Sequence, residues 1–205
     1  MINLIARLSS FLWTSLSVMG IRSSEVSSYR VLFEIGNIQI RLYQPMLIAE
    51  TEIEADYSPA GKIGFNRLAG YIFGGNVQKK EMAMTTPVFR EFIGQIQTMN
   101  EATQPAPNTS KWLMSFVMPP SFDLTTVPEP TDPLVIIESI PAKKVATLRY
   151  AGSLNQERMT EYSQSLLAWL DEQHIKPLSS PRSAAYDPPW TISSLRRNEI
   201  HIDIE

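Results

Sequence analysis

No cysteine occurs anywhere in the 205-residue chain. Its absence excludes disulfides, thiolate metal sites, iron–sulfur clusters and cysteine nucleophiles, and makes the redox state of the compartment irrelevant to folding. Histidine is nearly absent too. With only His174 and His201 present, a zinc site would have to fill most of its positions with carboxylates. Charge of one sign never accumulates: 18 Lys and Arg against 21 Asp and Glu give a net charge of −3 with no long single-sign run. Nucleic-acid binding depends on clustered Lys and Arg, so nucleic acid is not an expected partner. The uncharged stretch between Arg7 and Arg22 is shorter than the roughly 20 residues a spanning helix needs, and no A-x-A-like cleavage site follows it.

What is present is ordinary for a soluble domain: 43% hydrophobic and 19% charged residues, in a length that supports one substantial core or two halves sharing one. Leu4, Ile5, Leu8, Phe11, Leu12, Leu16 and Met19 recur at helical spacing, which predicts an amphipathic helix over residues 1–20. Such a helix either docks on the domain, lies on a membrane surface as a peripheral contact, or is a degenerate export signal. A cytoplasmic location is the expectation, with peripheral membrane attachment or export as the alternatives. Residues 1–28 are read as this helix and its linker, and residues 29–205 as the domain.

From Tyr29 the pattern changes to strands. Ile38, Ile40 and Leu42 alternate with Gln39, Arg41 and Tyr43, Pro45 breaks the run, and Met46 to Ile53 forms a second extended piece. A turn at Ser58 to Gly61 precedes a helix from about Lys62 to Phe73, which Gly74-Gly75 terminates. Strands are expected at Met82 to Thr86, Val88 to Ile96 and Trp112 to Met118, with a polar loop around Thr103 to Thr109. The second half retraces this order: Leu134 to Ile140, a break at Pro141, Lys143 to Tyr150, and a helix from about Asn155 to Gln173. Its buried stripe is predicted to be Met159, Tyr162, Leu166, Leu167 and Leu170. Extended segments at Ala184 to Asp187 and Glu199 to Ile204 follow. Pro45 to Pro87 and Pro141 to Pro188 are spaced alike, and suggest a duplication of strand–Pro–strand–helix–strand–strand over about residues 29–118 and 134–205.

Neither half can bury a sheet face alone, so the expected fold is α+β: a pseudo-twofold, duplicated, twisted antiparallel sheet or distorted β-barrel flanked by two α-helices. The Pro-rich segment Pro119 to Pro133 would connect the halves over the surface. Within this frame Phe65, Leu68, Ala69 and Ile72 share one face of the first helix, with Lys62 and Arg67 at its flanks, and Met82 and Met84 lie on one side of the next strand. Apolar and thioether groups offer adaptable contact to a flat ligand, and the flanking cations suit acidic groups at its edge. The structural alternative is that the stripe is simply core.

The run FNRLAGYIFGGN, the following MAMTTPV, the later AAYDPPW and the terminal LRRNEIHI, in that order and at fitting spacings, resemble the SOUL haem-binding protein family over about Tyr29 to Glu205. The resemblance implies a twisted barrel with two outer helices that binds haem or a free porphyrin reversibly, without enzymatic activity, in a shallow hydrophobic cleft beside the first helix. It implies contacts from Lys62, Phe65, Arg67, Leu68 and Ile72 of the helix, from Met84 of the strand, and from Tyr186 across the cleft. Some relatives have been proposed to use an early-strand histidine as iron ligand, and Tyr29 to Ile53 contains none. His201 alternates with Ile200, Ile202 and Ile204 and is expected to face solvent, while His174 ends the second helix. The other donors on offer are Met84, Tyr71 and Tyr186, and the metal ligand stays unassigned. Asp187, before Pro188, more often fixes a turn than acts as an acid.

A duplicated α+β module is also similar to GyrI-like effector-binding domains, which bind diverse hydrophobic small molecules and occasionally hydrolyse them. A buried Glu, or a Tyr–Glu pair inside the cleft, would favour that reading. Glu50 and Glu138 lie on strands, but the sequence does not orient them. Oligomeric state is not legible either.

Overall fold

The computed structural model describes residues 25–96 and 109–205, so the amphipathic helix expected over residues 1–20 and the loop before Thr109 lie outside the described residues. The chain forms β1 (Glu25–Val26), β2 (Tyr29–Ile35), β3 (Ile38–Tyr43), β4 (Met46–Glu54), α1 (Tyr57–Ile72), β5 (Thr85–Thr86), β6 (Val88–Ile96) and β7 (Thr109–Val117). The second half adds β8 (Ile136–Ile140), β9 (Lys143–Tyr150), α2 (Gln156–Glu172), β10 (Arg182–Ala185) and β11 (Asn198–Ile204). Nine strands make one curled antiparallel sheet, a half-barrel, in the order β2-β3-β9-β11-β10-β6-β7-β4-β8. The fold is the α+β arrangement expected, with both helices on one face.

That order shows how the duplication works. The first half runs β3, β4, α1, β6, β7 and the second β8, β9, α2, β10, β11. The first strand of each half leaves its own unit: β3 pairs with β9, and β8 pairs with β4. Pro45 and Pro141 sit at the two equivalent breaks, where a residue with no N–H to donate lets one strand end and the next begin elsewhere. The second pair of prolines does not correspond: Pro87 immediately precedes β6, whereas Pro188 follows β10. The halves meet where β6 pairs with β10.

Local differences have local causes. The turn read at Ser58 to Gly61 is the first turn of α1, which begins at Tyr57; Pro59 is tolerated there because first-turn N–H groups have no partner inside the helix. The strand expected from Met82 shrinks to Thr85–Thr86, which pairs in parallel with β1. β8 starts only at Ile136 because Asp132 organises a turn, accepting bonds from the N–H of Leu134 at 2.9 Å and of Val135 at 3.1 Å.

The main core lies between the sheet and the helices. Leu68 and Ile72 of α1 pack over β4 and β7, and Leu166 and Leu170 of α2 over β9 and β11, where Ile200, Ile202 and Ile204 form the floor. α2 follows its predicted stripe at Met159, Leu166 and Leu170, while Tyr162 and Leu167 are partly buried and Ser163 takes a buried place. Tyr162 stacks on Tyr150 with ring centroids 4.2 Å apart. Among the described residues no helix is long and apolar enough to cross a membrane.

The Gly-Gly-Asn turn after α1 is a bonded unit. Gly74 adopts φ +99°, and Gly75 donates to the Gly70 carbonyl at 2.8 Å. Buried Asn76 donates to the carbonyls of Tyr71 at 3.2 Å and Lys80 at 2.8 Å and accepts from the Lys80 N–H at 2.9 Å. Val77 and Gly75 tie the turn to Glu129 and Thr131 of the connecting segment. A side chain at position 75 would place its Cβ 2.6 Å from the Gly70 oxygen, and that backbone cannot yield without moving the helix end. Gly75→Ala is therefore expected to cost about 1–3 kcal/mol of stability, read from urea denaturation; an unchanged midpoint would disprove the close approach.

Candidate functional site

The seven residues singled out from the sequence do not form one surface. α1 presents two different flanks beside its buried stripe. Leu68 at 0% exposure and Ile72 at 1% are sealed against the sheet and cannot reach a ligand. Lys62, Phe65, Ala69 and Phe73 follow one another at spacings of three and four along one flank. Lys62 is exposed, Phe65 is 39% exposed and Phe73 is 63% exposed. Phe65 rests one side of its ring on Phe116, with centroids 5.4 Å apart, so its position is fixed while the rest of the ring stays accessible.

The segment leading to β5 borders this flank. It is anchored at one end by the bond from the Met82 N–H to the Ile72 carbonyl at 2.9 Å, and at the other by the Thr85 hydroxyl donating to the Val117 carbonyl. Met84 lies between these anchors, partly buried against the core. Lys62, Phe65 and Phe73 thus mark an apolar strip along the helix flank with a cation at one end, and Met84 lies in the segment that follows the helix.

Arg67 lies on the other flank. Its Nη1 donates to Thr51 Oγ1 at 2.7 Å and to the Glu52 carbonyl at 3.1 Å, and its Nε sits 3.5 Å from Asp132 Oδ2. It is engaged in fastening α1 to β4 and the connecting segment. Tyr186 does not lie across a cleft from α1: it is 1% exposed on the opposite face of the sheet. There its hydroxyl donates to Glu199 Oε2 at 3.0 Å and the Arg197 guanidinium covers its ring at 3.9 Å.

That second face is closed at its centre by a charged network, which is why the solvent-facing expectation for His201 fails. β11 is a central strand of the half-barrel, and the curl of the sheet buries Glu199 and His201 as completely as the isoleucines on the other side. Arg41 grips Glu199 with two bonds, Nη1 to Oε2 at 2.7 Å and Nη2 to Oε1 at 3.0 Å; Arg197 Nε adds one at 2.8 Å and His201 Nε2 another at 2.8 Å. Burial pushes the Glu199 carboxyl up, but the bonds from His201 and Arg41 outweigh it and hold the group well below the usual carboxylate range. Burial pushes the His201 imidazole down to about 4, only partly opposed by Glu199. Beside this network a half-open pocket of about 170 Å³ is lined by residues that include Glu50, Glu91, Phe89 and His201.

The family model described as SOUL heme-binding protein matches residues 24–203. The chain belongs to this family. The half-barrel with two helices on one face is shared with solved structures at low identity, which shows the fold alone. The C-terminal domain of EcmrR is 15% identical with a TM-score of 0.58, over 86% of this chain and 98% of that one. A complex of EcmrR with DNA gives 15% and 0.56, over 99% of this chain and 65% of that one. A hydrolase from Listeria innocua gives 6% and 0.54, over 85% and 94%. Comparison with curated proteins gives no match.

For a SOUL protein the donors available to iron are few. Tyr71 gives its phenol to the Pro128 carbonyl at 2.7 Å, and burial pushes its pKa up to about 12. Tyr186 is held by Glu199, His201 lies behind the sheet from α1, and His174 follows the far end of α2. Met84 is the one soft donor of this set, partly buried in the segment that follows α1. Sequence reasoning treated Phe73 only as the helix end; its place on the Lys62 flank was readable from the same spacing. The Glu199 network left no signal, because alternating polar residues on a strand look alike whether they face water or a second, polar interior.

Proposed function

We propose that this SOUL protein binds haem or a related free porphyrin reversibly on the Lys62 flank of α1, as a carrier or buffer and not as a catalyst. The observation that supports this most is the pair of exposed rings, Phe65 and Phe73, on one flank with Lys62, in a chain whose family match covers residues 24–203. The residues suit such a ligand. A porphyrin offers a flat apolar face and carboxylate tails; the two rings and Met84 would cover the face, and the exposed Lys62 ammonium would meet a carboxylate. When bound, the tetrapyrrole would supply its own chemistry, and the chain would supply shelter and release.

The magnitudes favour loose binding. Covering apolar surface contributes roughly 25 cal/mol per Å², and a strip open on one side covers only part of the disc. An exposed ion pair adds about 1 kcal/mol at most. No imidazole stands on this flank to add a strong iron bond.

Titration of haemin followed by the Soret band tests the proposal. A saturable shift is expected, weakened about tenfold by Phe73→Ala or Phe65→Ala. Lys62→Glu should weaken binding of the dicarboxylic porphyrin more than that of its dimethyl ester. Absence of a saturable shift would end the tetrapyrrole reading; a shift indifferent to all three substitutions would move the site off α1.

A further inference from the structure

The pocket on the face away from the helices has a chemistry of its own. Its polar groups sort by what already holds them. Lys143 Nζ and Arg182 Nη2 both donate to Asp203, at 2.6 and 2.5 Å, which leaves one positive charge in excess, and Glu91, the cross-strand partner of Arg182, faces it. Among the described residues neither Glu50 nor Glu91 has a salt bridge. Glu50 accepts a long bond from Ser115 Oγ at 3.5 Å, and Glu138 on the neighbouring β8 places a second carboxyl within hydrogen-bonding reach of it. Burial, then Glu138, raises the Glu50 pKa; burial likewise raises that of Glu91.

An independent observation comes from His201, which lines the pocket at 1% exposure. Its Nε2 is bound to ionised Glu199, which accepts, so the ring proton resides on Nε2. Its Nδ1 is buried and has no hydrogen-bond partner. A neutral imidazole protonated on Nε2 has a lone pair on Nδ1 and can only accept there. Buried polar atoms are ordinarily partnered, and an unpartnered one in a pocket wall calls for a donor. The imidazole is held between two rings, Phe89 at 5.4 Å and Tyr43 at 5.9 Å between centroids.

The charged groups of the pocket wall, Glu50, Glu91 and Asp203 against Lys143 and Arg182, sum to −1, with the excess at Glu50, and His201 adds an imidazole lone pair between aromatic and aliphatic walls. We propose that it is a binding site for a small organic cation that carries N–H donors on a flat apolar body, such as an aryl amidine or an arylmethyl ammonium. Glu50 takes the charge, Glu91 offsets the cations beside Asp203, and His201 Nδ1 accepts a hydrogen bond. Its volume of about 170 Å³ admits roughly one ring and its substituent, well short of the 300 Å³ or more typical of drug-sized sites. A porphyrin is too large for it and carries the wrong charge. The sheet separates this site from the α1 flank, and neither depends on the other.

Calorimetric titration with benzamidine and its uncharged analogue benzamide tests the assignment. Saturable 1:1 binding of benzamidine is expected, with benzamide at least about tenfold weaker, because a charge-assisted bond in a partly buried site is worth that much or more. Glu50→Gln, which keeps the shape of a partly buried side chain, should weaken benzamidine about tenfold, and Glu91→Gln should weaken it in the same direction. Equal affinity for the two compounds, no saturable heat with either, or benzamidine affinity unchanged in both variants would overturn the proposal. Haemin that displaced benzamidine would merge the two sites and overturn it as well. A failed Soret titration removes the porphyrin reading and leaves this one intact, since benzamidine binding is read by heat alone.

Discussion

Replacing Glu199 by Gln is expected to lower the unfolding free energy by about 3–5 kcal/mol, the cost of leaving a buried charge without its partner. The carboxylate is fully buried and accepts from Arg41, Arg197, Tyr186 and His201, so every neighbour is a donor. An amide keeps the shape but removes the charge, and its NH₂ group must face one of those donors. The Arg41 guanidinium, 2% exposed, then has no carboxylate, and it cannot shed its proton to escape the cost. Arg197→Met should cost less, because Arg197 is only half-buried and Arg41 would still neutralise Glu199. Urea denaturation with an unchanged m-value is the measurement. In a double-mutant cycle, Arg41→Met with Glu199→Gln should be less damaging than the two losses added, since each single change strands a charge that the double change removes. A loss below about 1 kcal/mol for Glu199→Gln, or strict additivity in the cycle, would show that the network is not a closed unit.

The network also explains which parts of the molecule could be read from the chain alone. β6 and β9 were legible to the residue, because strong β-formers run between clear breaks at Pro87, Pro141 and Gly152. The Pro45 and Pro141 breaks carried the duplication, and the exchange of β3 and β8 between halves is the physical form that a shared core takes. The Pro87 and Pro188 comparison misled because spacing was taken for position. At the site, spacing put Phe65 on one face with Leu68, Ala69 and Ile72 and set Lys62 and Arg67 at its flanks, and the resemblance counted Leu68 and Ile72 as ligand contacts. Helical periodicity locates an apolar stripe, and the middle of a stripe is what a sheet covers; a ligand can use only its margin, where Phe65 and Phe73 stand. Nothing in NEIHIDI distinguishes an outer polar face from the inside of a curled sheet. That distinction depends on β2 and β3 wrapping round to bring Tyr29, Arg41 and Tyr43 against β11 and its neighbours, which is a long-range fact.

Exchange of the first strand between halves has a functional corollary. Because β3 and β8 each close the other half's sheet, the two faces of the half-barrel are built from both repeats, and each carries a different chemistry. The helix side is apolar to its rim and suits an extended flat surface. The hollow side draws Arg41 from β3 into a polar interior and sets Glu138 of β8 at its exposed edge beside Glu50, which suits a small charged guest. Loss of the Glu199 network should therefore disturb the hollow side first, with haemin titration of the folded fraction unchanged.

Stability is expected to fall by roughly 3 kcal/mol through His201 alone as the pH drops from about 7 to about 4. In the folded protein burial lowers the imidazole pKa from 6.5 to about 4, so between those values the unfolded chain holds a proton that the folded one refuses. The unfolded state binds more protons in that window, and acid favours it. The contribution is complete above pH 6.5, declines as the pH falls from there, and levels off below about 4. Other groups facing the ring act differently: Glu50 and Glu91, with raised pKa values, take up protons in the folded state and oppose the trend, while Glu199 and Asp203, with lowered ones, join it only in the carboxylate range. Arg182 and Arg41 are the cations beside the ring that disfavour its protonated form. Comparison with His201→Gln cancels these shared contributions: the wild type should lose stability relative to the variant by up to about 1.4 kcal/mol per pH unit across the window. An imidazole proton resonance that titrates near 6.5 in the folded protein, or parallel stability curves for the two proteins, would show that the ring is not desolvated between Phe89 and Tyr43.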